Sequence, residues 1–386
     1  MFKSARFYKL WSGEMRKLFE HHGARLIQGI GALSLSLIFG IVPFALIAVD
    51  DFVVAKAGVS TMAPASPQQG KCARPIGLRE LSEGSPTQVP GTWQMRWDEG
   101  AKDCRAAKFE PLEVRAYNET TFIIREGLCA TFEAPFIYLL IGTKQALLID
   151  TGDVADPQLM PLADTVLRLL PTSGDHKLPL LVAHTHRHLD HRAGDLQFLG
   201  LPGVEVVGFD LNSVRRYFGF SDWPNGLATI DLGDRSVDVL PTPGHNETHI
   251  AFYDRDTAIV FSGDFFLPGR LLIDDRHADL ASAKRVADFV AERPVSYVLG
   301  AHIELDANGK AFSWGSQYHP NEHRLSMTKE DLLKLPETVE QFNGVYTRRG
   351  QTIMLNQTNA LVITAVAVAS LLAAVGKVSY NLLKRR

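Results

Sequence analysis

The chain has 386 residues, of which 46% are hydrophobic, and a formal net charge of −3. This composition excludes a disordered chain, and the length allows two domains or one large domain with extensions. The charge is nearly balanced and shows no basic surface signal, so we expect no nucleic-acid partner. The placement of charge is more informative than its sum.

The first long uncharged segment covers residues 26–49. At about 1.5 Å per residue it can cross about 30 Å of hydrocarbon, which predicts a transmembrane helix. It separates a basic N-terminus, residues 1–25, from a spacer, residues 50–113. A cleaved signal peptide is the alternative, but the run exceeds the roughly 7–15 residues of a signal core.

A second uncharged, apolar segment, residues 359–376, predicts another transmembrane helix. It follows a juxtamembrane segment, residues 346–358, and precedes a basic tail, residues 377–386. The alternative is a buried terminal helix. The positive-inside rule places both termini in the cytoplasm and the intervening domain on the extracytoplasmic side, which in a bacterium means the inner membrane and the periplasm. Arg348 and Arg349 count mildly against this orientation.

Three cysteines, Cys72, Cys104 and Cys129, are too few for a disulfide scaffold, and none has the spacing of a zinc knuckle. In an oxidising compartment we consider a pair between Cys72 and Cys104 that leaves Cys129 free. The sequence does not decide the pairing.

Strand-like and helix-like segments fill residues 114–345. Two batches of strands interleaved with helices predict an α/β fold, a four-layer αββα sandwich flanked by the two transmembrane helices. Pro336 is expected to split the last helical stretch in two. The predicted strands are 114–126, 134–141, 146–150, 178–183, 204–207, 227–231, 234–240, 249–254, 257–262 and 295–299, and the predicted helices are 157–170, 211–218, 279–292 and 328–342.

A cluster of histidines follows the apolar run 178–183. Residues 184–191 hold four of the thirteen histidines in the chain, together with Asp190. His186 and His188 can project to one side of an extended segment, whereas Asp190 and His191 follow a bend and can face a second metal. Imidazole and carboxylate suit zinc, or iron and manganese. A solvated histidine-rich loop is the alternative.

Four more acids or histidines come directly after strand-like runs. His245 stands in a Pro-Gly turn, Asp264 follows a glycine, and His302 and Asp150 end two further runs. Each alone is a turn residue or a structural histidine as often as a ligand. Their joint occurrence with the histidine cluster indicates a metal site.

This ordered pattern resembles the metallo-β-lactamase superfamily over roughly residues 114–305. The matching motifs are HxHxDH (His186, His188, Asp190, His191), PGH (His245), GD (Asp264) and GxH (His302). The resemblance implies two divalent ions, with zinc favoured and iron or manganese as alternatives. His186, His188 and His245 would hold one ion, and Asp190, His191 and His302 the other, with Asp264 bridging. Asp150 would orient a ligand, whereas His184 and His249 are read as structural or ligand-orienting.

A metal pair of this kind permits hydrolysis, because a metal can lower the pKa of its bound water from 15.7 to about 7. Asp190, both ligand and hydrogen-bond acceptor, is the predicted catalytic residue that orients the resulting bridging hydroxide. We expect the carbonyl of an ester, thioester or lactone of a small molecule or lipid as substrate. The bridging Asp264 disfavours a β-lactam, because the true β-lactamases of the superfamily have Cys or Ser there or otherwise lack that acid.

Several points stay open at this stage. Alternatives are a phosphodiesterase or β-lactam hydrolase on the same site, an iron-dependent oxidoreductase similar to persulfide dioxygenases, and a catalytically idle membrane protein. The oligomeric state is not predicted. Four residues could line a substrate pocket or be ordinary surface or packing residues: Arg270, Tyr318, His319 and His323.

Overall fold

The structure, a computed structural model, describes residues 91, 93, 95–173 and 176–385. The first predicted membrane segment, residues 26–49, and Cys72 lie outside the described residues. The chain divides into a unit of Gln69–Ala360 and a second unit that includes Leu361–Arg386.

The first half of the larger unit forms a six-stranded sheet in the spatial order β1-β2-β3-β4-β7-β8. Strands β4, β7 and β8 are parallel neighbours, whereas β1 to β4 form an antiparallel meander. Two very short strands, β5 and β6, pair separately. The ranges are β1 Leu112–Asn118, β2 Thr121–Glu126, β3 Phe136–Ile141, β4 Ala146–Ile149, β5 Thr172–Ser173, β6 His176–Lys177, β7 Leu180–Ala183 and β8 Val204–Val206.

The second half forms another six-stranded sheet, in the order β15-β14-β12-β11-β10-β9. Strands β10, β11 and β12 are antiparallel neighbours, and β12 is parallel to β14, so β10, β12 and β14 run in one direction. The ranges are β9 Ala228–Asp231, β10 Ser236–Pro241, β11 Ile250–Asp254, β12 Ile259–Gly263, β13 Arg270–Leu272, β14 Tyr297–Gly300 and β15 Ser326–Met327.

The two sheets pack face to face, and the period-two alternation of each strand explains how. In β3, Phe136, Tyr138 and Leu140 point into a core shared with Phe252 and Phe261 of the second sheet. The alternate residues of β3 point to the opposite face. All six β3 side chains are buried because both faces of the strand are covered.

Helices cover the outer faces of both sheets. Helix α1, Leu162–Leu169, packs Leu162 and Val166 against Leu139 of the first sheet. Helix α3, Arg276–Ala291, covers the second sheet together with α4, Lys329–Leu333, and α5, Leu335–Glu340. The predicted α/β fold is confirmed, and its layers follow the order αββα.

Local signals define the helix ends. Helix α2, Leu211–Phe218, begins where the Asp210 side chain accepts hydrogen bonds from two backbone N–H groups, and it ends at Gly219 in the left-handed region. Pro336 lies in the first turn of α5, so the predicted split of the 328–342 stretch is confirmed.

Two sequence predictions are wrong in detail. The expected single strand 114–126 is a hairpin, because the Asn118 side chain accepts a hydrogen bond from the Thr120 N–H and turns the chain. The disulfide that we considered between Cys72 and Cys104 is also wrong. Cys104 is bonded to Cys129, with the two Cα atoms 5.1 Å apart.

The C-terminal part begins with a hairpin of β16, Tyr346–Arg349, and β17, Thr352–Leu355, and β17 is parallel to β13. Helix α6, Gln357–Lys384, follows. With a mean hydropathy of 2.2 and no burial, it is long and apolar enough to cross a membrane, and it is the one such helix among the described residues. The second predicted span, residues 359–376, lies inside it. Two membrane spans are therefore not confirmed.

Candidate metal centre

Five strands that run in one direction end at the same edge of the sandwich. Strands β4 and β7 of the first sheet lead to Asp150 and to the histidine cluster. Strands β10, β12 and β14 of the second sheet lead to His245, Asp264 and His302. Side chains in the loops after these strand ends therefore converge on one place.

Three imidazoles form the first group. His186 Nε2 lies 2.9 Å from His188 Nδ1 and 3.2 Å from His245 Nε2. His188 Nδ1 lies 3.0 Å from His245 Nε2, so the three ring nitrogens surround a common position. His186 and His245 are buried, and His188 is half-buried. A cluster of three imidazole nitrogens is a suitable ligand set for zinc.

Two carboxylates and two imidazoles form the second group: Asp190, His191, Asp264 and His302. His191 Nε2 lies 3.3 Å from Asp190 Oδ2, and His302 Nε2 lies 3.5 Å from the same oxygen. Oxygen and nitrogen ligands in this mixture suit zinc, iron or manganese.

Asp264 joins the two groups. Its Oδ2 lies 3.5 Å from His191 Nε2 of the second group and 3.6 Å from His245 Nε2 of the first. Its Oδ1 is buried and has no hydrogen-bond donor among the described residues. It lies 3.5 Å from His302 Nε2 without forming a hydrogen bond, and a buried carboxylate oxygen placed in this way fits a cation between the two groups.

The electrostatics of the two groups differ. Burial and neighbouring imidazoles hold the pKa of His186 well below its usual range and lower that of His188 to about 4, so these two rings carry no charge. In the second group burial opposes charge, but the facing carboxylates dominate and raise the pKa of His302 to about 10. Two protons on the imidazoles of this group balance its two carboxylates, and a divalent ion would supply the same two positive charges.

Asp150 holds the first-sheet ligands in place. Its Oδ1 accepts a hydrogen bond of 2.7 Å from the Thr185 N–H, and its Oδ2 accepts one from the Thr185 hydroxyl. The same Oδ2 lies 3.0 Å from His191 Nδ1. Asp150 thus orients both the loop and a ligand imidazole, as predicted.

The remaining ligand rings are oriented by partners that sequence reasoning missed. His245 Nδ1 lies 2.7 Å from the backbone oxygen of Leu272, and His302 Nδ1 lies 2.8 Å from that of Glu133. Asn246 Nδ2 lies 3.1 Å from His188 Nε2. Backbone acceptors leave no residue signal, whereas Asn246, adjacent to His245, could have been found by asking what orients His188.

Two histidines near the cluster stand outside both groups. His184 Nε2 lies 2.7 Å from Asp195 Oδ1. His249 is buried behind His186, stacked on its ring at 5.1 Å between centroids. Both were predicted to be structural or ligand-orienting, and the geometry agrees.

A narrow cleft of about 30 Å³ opens beside His302. Arg270 and His319 line it, whereas Tyr318 and His323 do not. Arg270 forms an ion pair of 3.1 Å with Glu304, so its charge is already balanced. The other lining residues include three aromatic ones, Phe132, Phe312 and Trp314, together with Glu133 and two serines.

Comparison with known proteins identifies a matching family profile and several relatives. Residues 130–302 match the profile of the Metallo-beta-lactamase superfamily. Acyl-coenzyme A thioesterase MBLAC2 of Homo sapiens is 24% identical over 242 residues, 53% of this chain and 85% of the relative. A hydroxyacylglutathione hydrolase of Methylobacillus flagellatus is 30% identical over 141 residues, 34% of this chain and about half (48%) of the relative.

A solved metallo-beta-lactamase of Pontibacter korlensis is 17% identical to this chain, with a TM-score of 0.39. The alignment covers 60% of this chain and 100% of the solved one. The profile match falls on the segment that holds all seven predicted ligands, and the predicted enzyme class is confirmed. Residues 130–302 therefore match the metallo-beta-lactamase superfamily, and the relatives that the chain resembles are hydrolases of that superfamily.

Proposed function

We propose that the chain is a dinuclear metal-dependent hydrolase of acyl thioesters, with other esters and lactones as the related substrates. The observation that supports it best is the position of Asp264, whose Oδ2 lies within 3.6 Å of a ring nitrogen in each group. A carboxylate shared by two ligand sets is what a pair of neighbouring ions requires.

His186, His188 and His245 would hold one ion, and Asp190, His191 and His302 the other, with Asp264 shared. Two divalent ions, with zinc favoured, would supply a water of lowered pKa and a Lewis acid for the substrate carbonyl. Asp190 is the proposed catalytic residue. Its Oδ2 lies 3.3 Å from His191 Nε2 and 3.5 Å from His302 Nε2, and this carboxylate would also accept a hydrogen bond from a reacting water.

Two observations favour a thioester. Both relatives are named for an acyl group on a thiol carrier, coenzyme A or glutathione. In addition, the cleft beside His302 presents Phe132 and Trp314, 40% and 37% exposed, while its one guanidinium is paired with Glu304. Aromatic side chains beside this paired guanidinium suit an apolar acyl group.

The test is a hydrolysis panel on the purified full-length chain, with metal content measured on the same sample. We expect acyl thioesters to be cleaved faster than aryl esters, lactones, phosphodiesters and a β-lactam. Hydrolysis should disappear with a chelator and return with zinc. Oxygen uptake with a persulfide substrate and bound iron would contradict the proposal, as would hydrolysis that is insensitive to chelation.

Asp190→Asn and Asp195→Asn make a matched pair for this test. Asp190 faces His191 and His302, whereas Asp195 faces His184, outside both groups. We expect the first substitution to lower kcat by about a hundredfold or more and the second to leave it within about threefold. Equal kcat values for the two variants would remove Asp190 from the catalytic role.

We further propose that the chain is anchored in a membrane with its catalytic domain on the extracytoplasmic side. The apolar helix α6 and the disulfide between Cys104 and Cys129 support this, because disulfides persist in oxidising compartments. A reporter fused after Arg386 should be active only in the cytoplasm. Activity of that reporter on the other side would contradict the topology.

A further inference from the structure

We propose that this chain has a second ligand site, separate from the metal centre, that binds a phosphate ester. The site is a cleft with a volume of about 410 Å³, and the loop that follows Asp264 forms part of its wall. None of the seven predicted metal ligands lines it. We name it the basic cleft, and its lining residues include Leu267, His323, Arg324, Lys334, Leu335 and Arg349.

The side chains that line the basic cleft carry mainly positive charge. Arg324, Lys334 and Arg349 come from three separate elements: the segment before β15, the end of α4 and the end of β16. None of these three side chains has a carboxylate or other hydrogen-bond partner among residues 95–173 and 176–385. Three unpaired cations from distant parts of the chain attract an anion more strongly than scattered surface charges do.

The single carboxylate of the cleft does not cancel these cations. Asp331 Oδ2 accepts hydrogen bonds of 3.0 Å from the Thr328 N–H and 2.8 Å from the Thr328 hydroxyl. This pair forms the capping box of α4, so the carboxylate is engaged at the helix start. The cleft therefore keeps an excess of positive charge.

The shape of the cleft indicates the chemistry of the ligand. Its floor is apolar, because Phe266, Leu267 and Leu335 are all at least 94% buried beneath it. Its volume is in the range of about 300–1,000 Å³ that holds small organic ligands. A phosphate offers several oxygens to three cations, whereas a carboxylate offers two. A phosphate joined to a small, partly apolar body fits both the rim and the floor.

The experiment uses the full-length chain in neutral detergent and three probes, studied by calorimetric titration. Inorganic phosphate and adenosine 3′,5′-diphosphate represent a soluble source, and dihexanoyl phosphatidylglycerol represents a lipid headgroup. Dihexanoyl phosphatidylcholine, which is zwitterionic with no net charge, is the reference. We expect saturable binding of at least one anionic probe. The probe that binds more tightly identifies the source.

The variant is Lys334→Glu with Arg349→Glu, and the matched control is Arg216→Glu with Lys284→Glu. Arg216 and Lys284 are also exposed, lie on α2 and α3, and do not line the cleft, so both variants change the net charge equally. We expect the cleft variant to bind the probe at least about tenfold more weakly and the control to bind as the wild type does.

The outcomes separate this site from the metal centre. Binding that survives in the cleft variant would belong to the metal centre or to general charge and would overturn the proposal, as would the absence of saturable binding by every anionic probe. Because the readout is binding, the result does not depend on whether the chain hydrolyses thioesters. Circular dichroism of both variants confirms that each remains folded.

Discussion

Asp150 Oδ2 lies 3.0 Å from His191 Nδ1, on the side of the ring opposite to the nitrogen that faces Asp190. The carboxylate therefore fixes both the tautomer and the direction of a predicted ligand. Asp150 adopts a φ of +68°, a left-handed conformation that Asn also tolerates.

Asp150→Asn should keep this backbone conformation but place an amide N–H where one oxygen now accepts a hydrogen bond. We expect metal affinity to fall by about 10- to 100-fold, measured by competition with a chromogenic chelator. Asp195→Asn, the same change beside His184, should leave the affinity unchanged. Equal affinities in the two variants would contradict the role of Asp150.

The two ligand groups should be separable by mutation. We expect His188→Ala and His302→Ala each to reduce the metal content from about two ions to about one per chain, because each removes a ligand from one group. His184→Ala is the control, since His184 belongs to neither group. Elemental analysis of the purified proteins gives the readout. A full metal content in the His188 and His302 variants would contradict the ligand assignment.

Glu126 should make stability depend on pH. It is fully buried, and burial raises its pKa to about 8, although the Asp153 N–H donates to it. Between its ordinary pKa and about pH 8 the folded state keeps a proton that the unfolded state releases. The resulting stability is complete below that ordinary pKa and is lost as the pH rises towards 8.

Glu126→Gln has no proton to lose, so the slope of unfolding free energy against pH should become less negative by about 1.4 kcal/mol per pH unit within this window. Urea unfolding between about pH 5 and pH 8 measures the slope. Glu119→Gln, at an exposed turn, should leave it unchanged. An identical slope for wild type and Glu126→Gln would show that Glu126 is not protonated in the folded state.

The disulfide should contribute measurably to stability, because it closes a loop of 25 residues between Cys104 and Cys129. Chain-entropy arguments give about 3 kcal/mol for a loop of this size. Cys104→Ser with Cys129→Ser should therefore lower the Tm by several degrees, and reductant should then have no further effect. Cys72→Ser is the control. A lower Tm for Cys72→Ser instead would favour the other pairing.

The sequence predicted the fold and the positions of the clustered side chains because both leave local signals. His186, Asp264 and His302 each follow an apolar strand, and strands that share a direction end at one edge. The assignment of ligands to two groups came from the family resemblance, and the geometry places the same residues together.

Other features depend on three-dimensional contacts that no local pattern contains. The Leu272 and Glu133 carbonyls orient ligand rings through backbone atoms that any residue carries. The partner of Cys104 depends on which chain segments meet in space. The hairpin around Gly350, which has the positive φ of a turn, lies within the predicted juxtamembrane segment, residues 346–358, and was not predicted.

Each ligand group takes residues from both sheets. The first combines His186 and His188 with His245, and the second combines Asp190 and His191 with Asp264 and His302. An ion bound at this edge is a crosslink between the two halves of the sandwich, in addition to the hydrophobic core. Removal of the metal should therefore loosen the packing of the two sheets at this edge. The supply of metal would then govern the lifetime of the folded protein as well as its turnover.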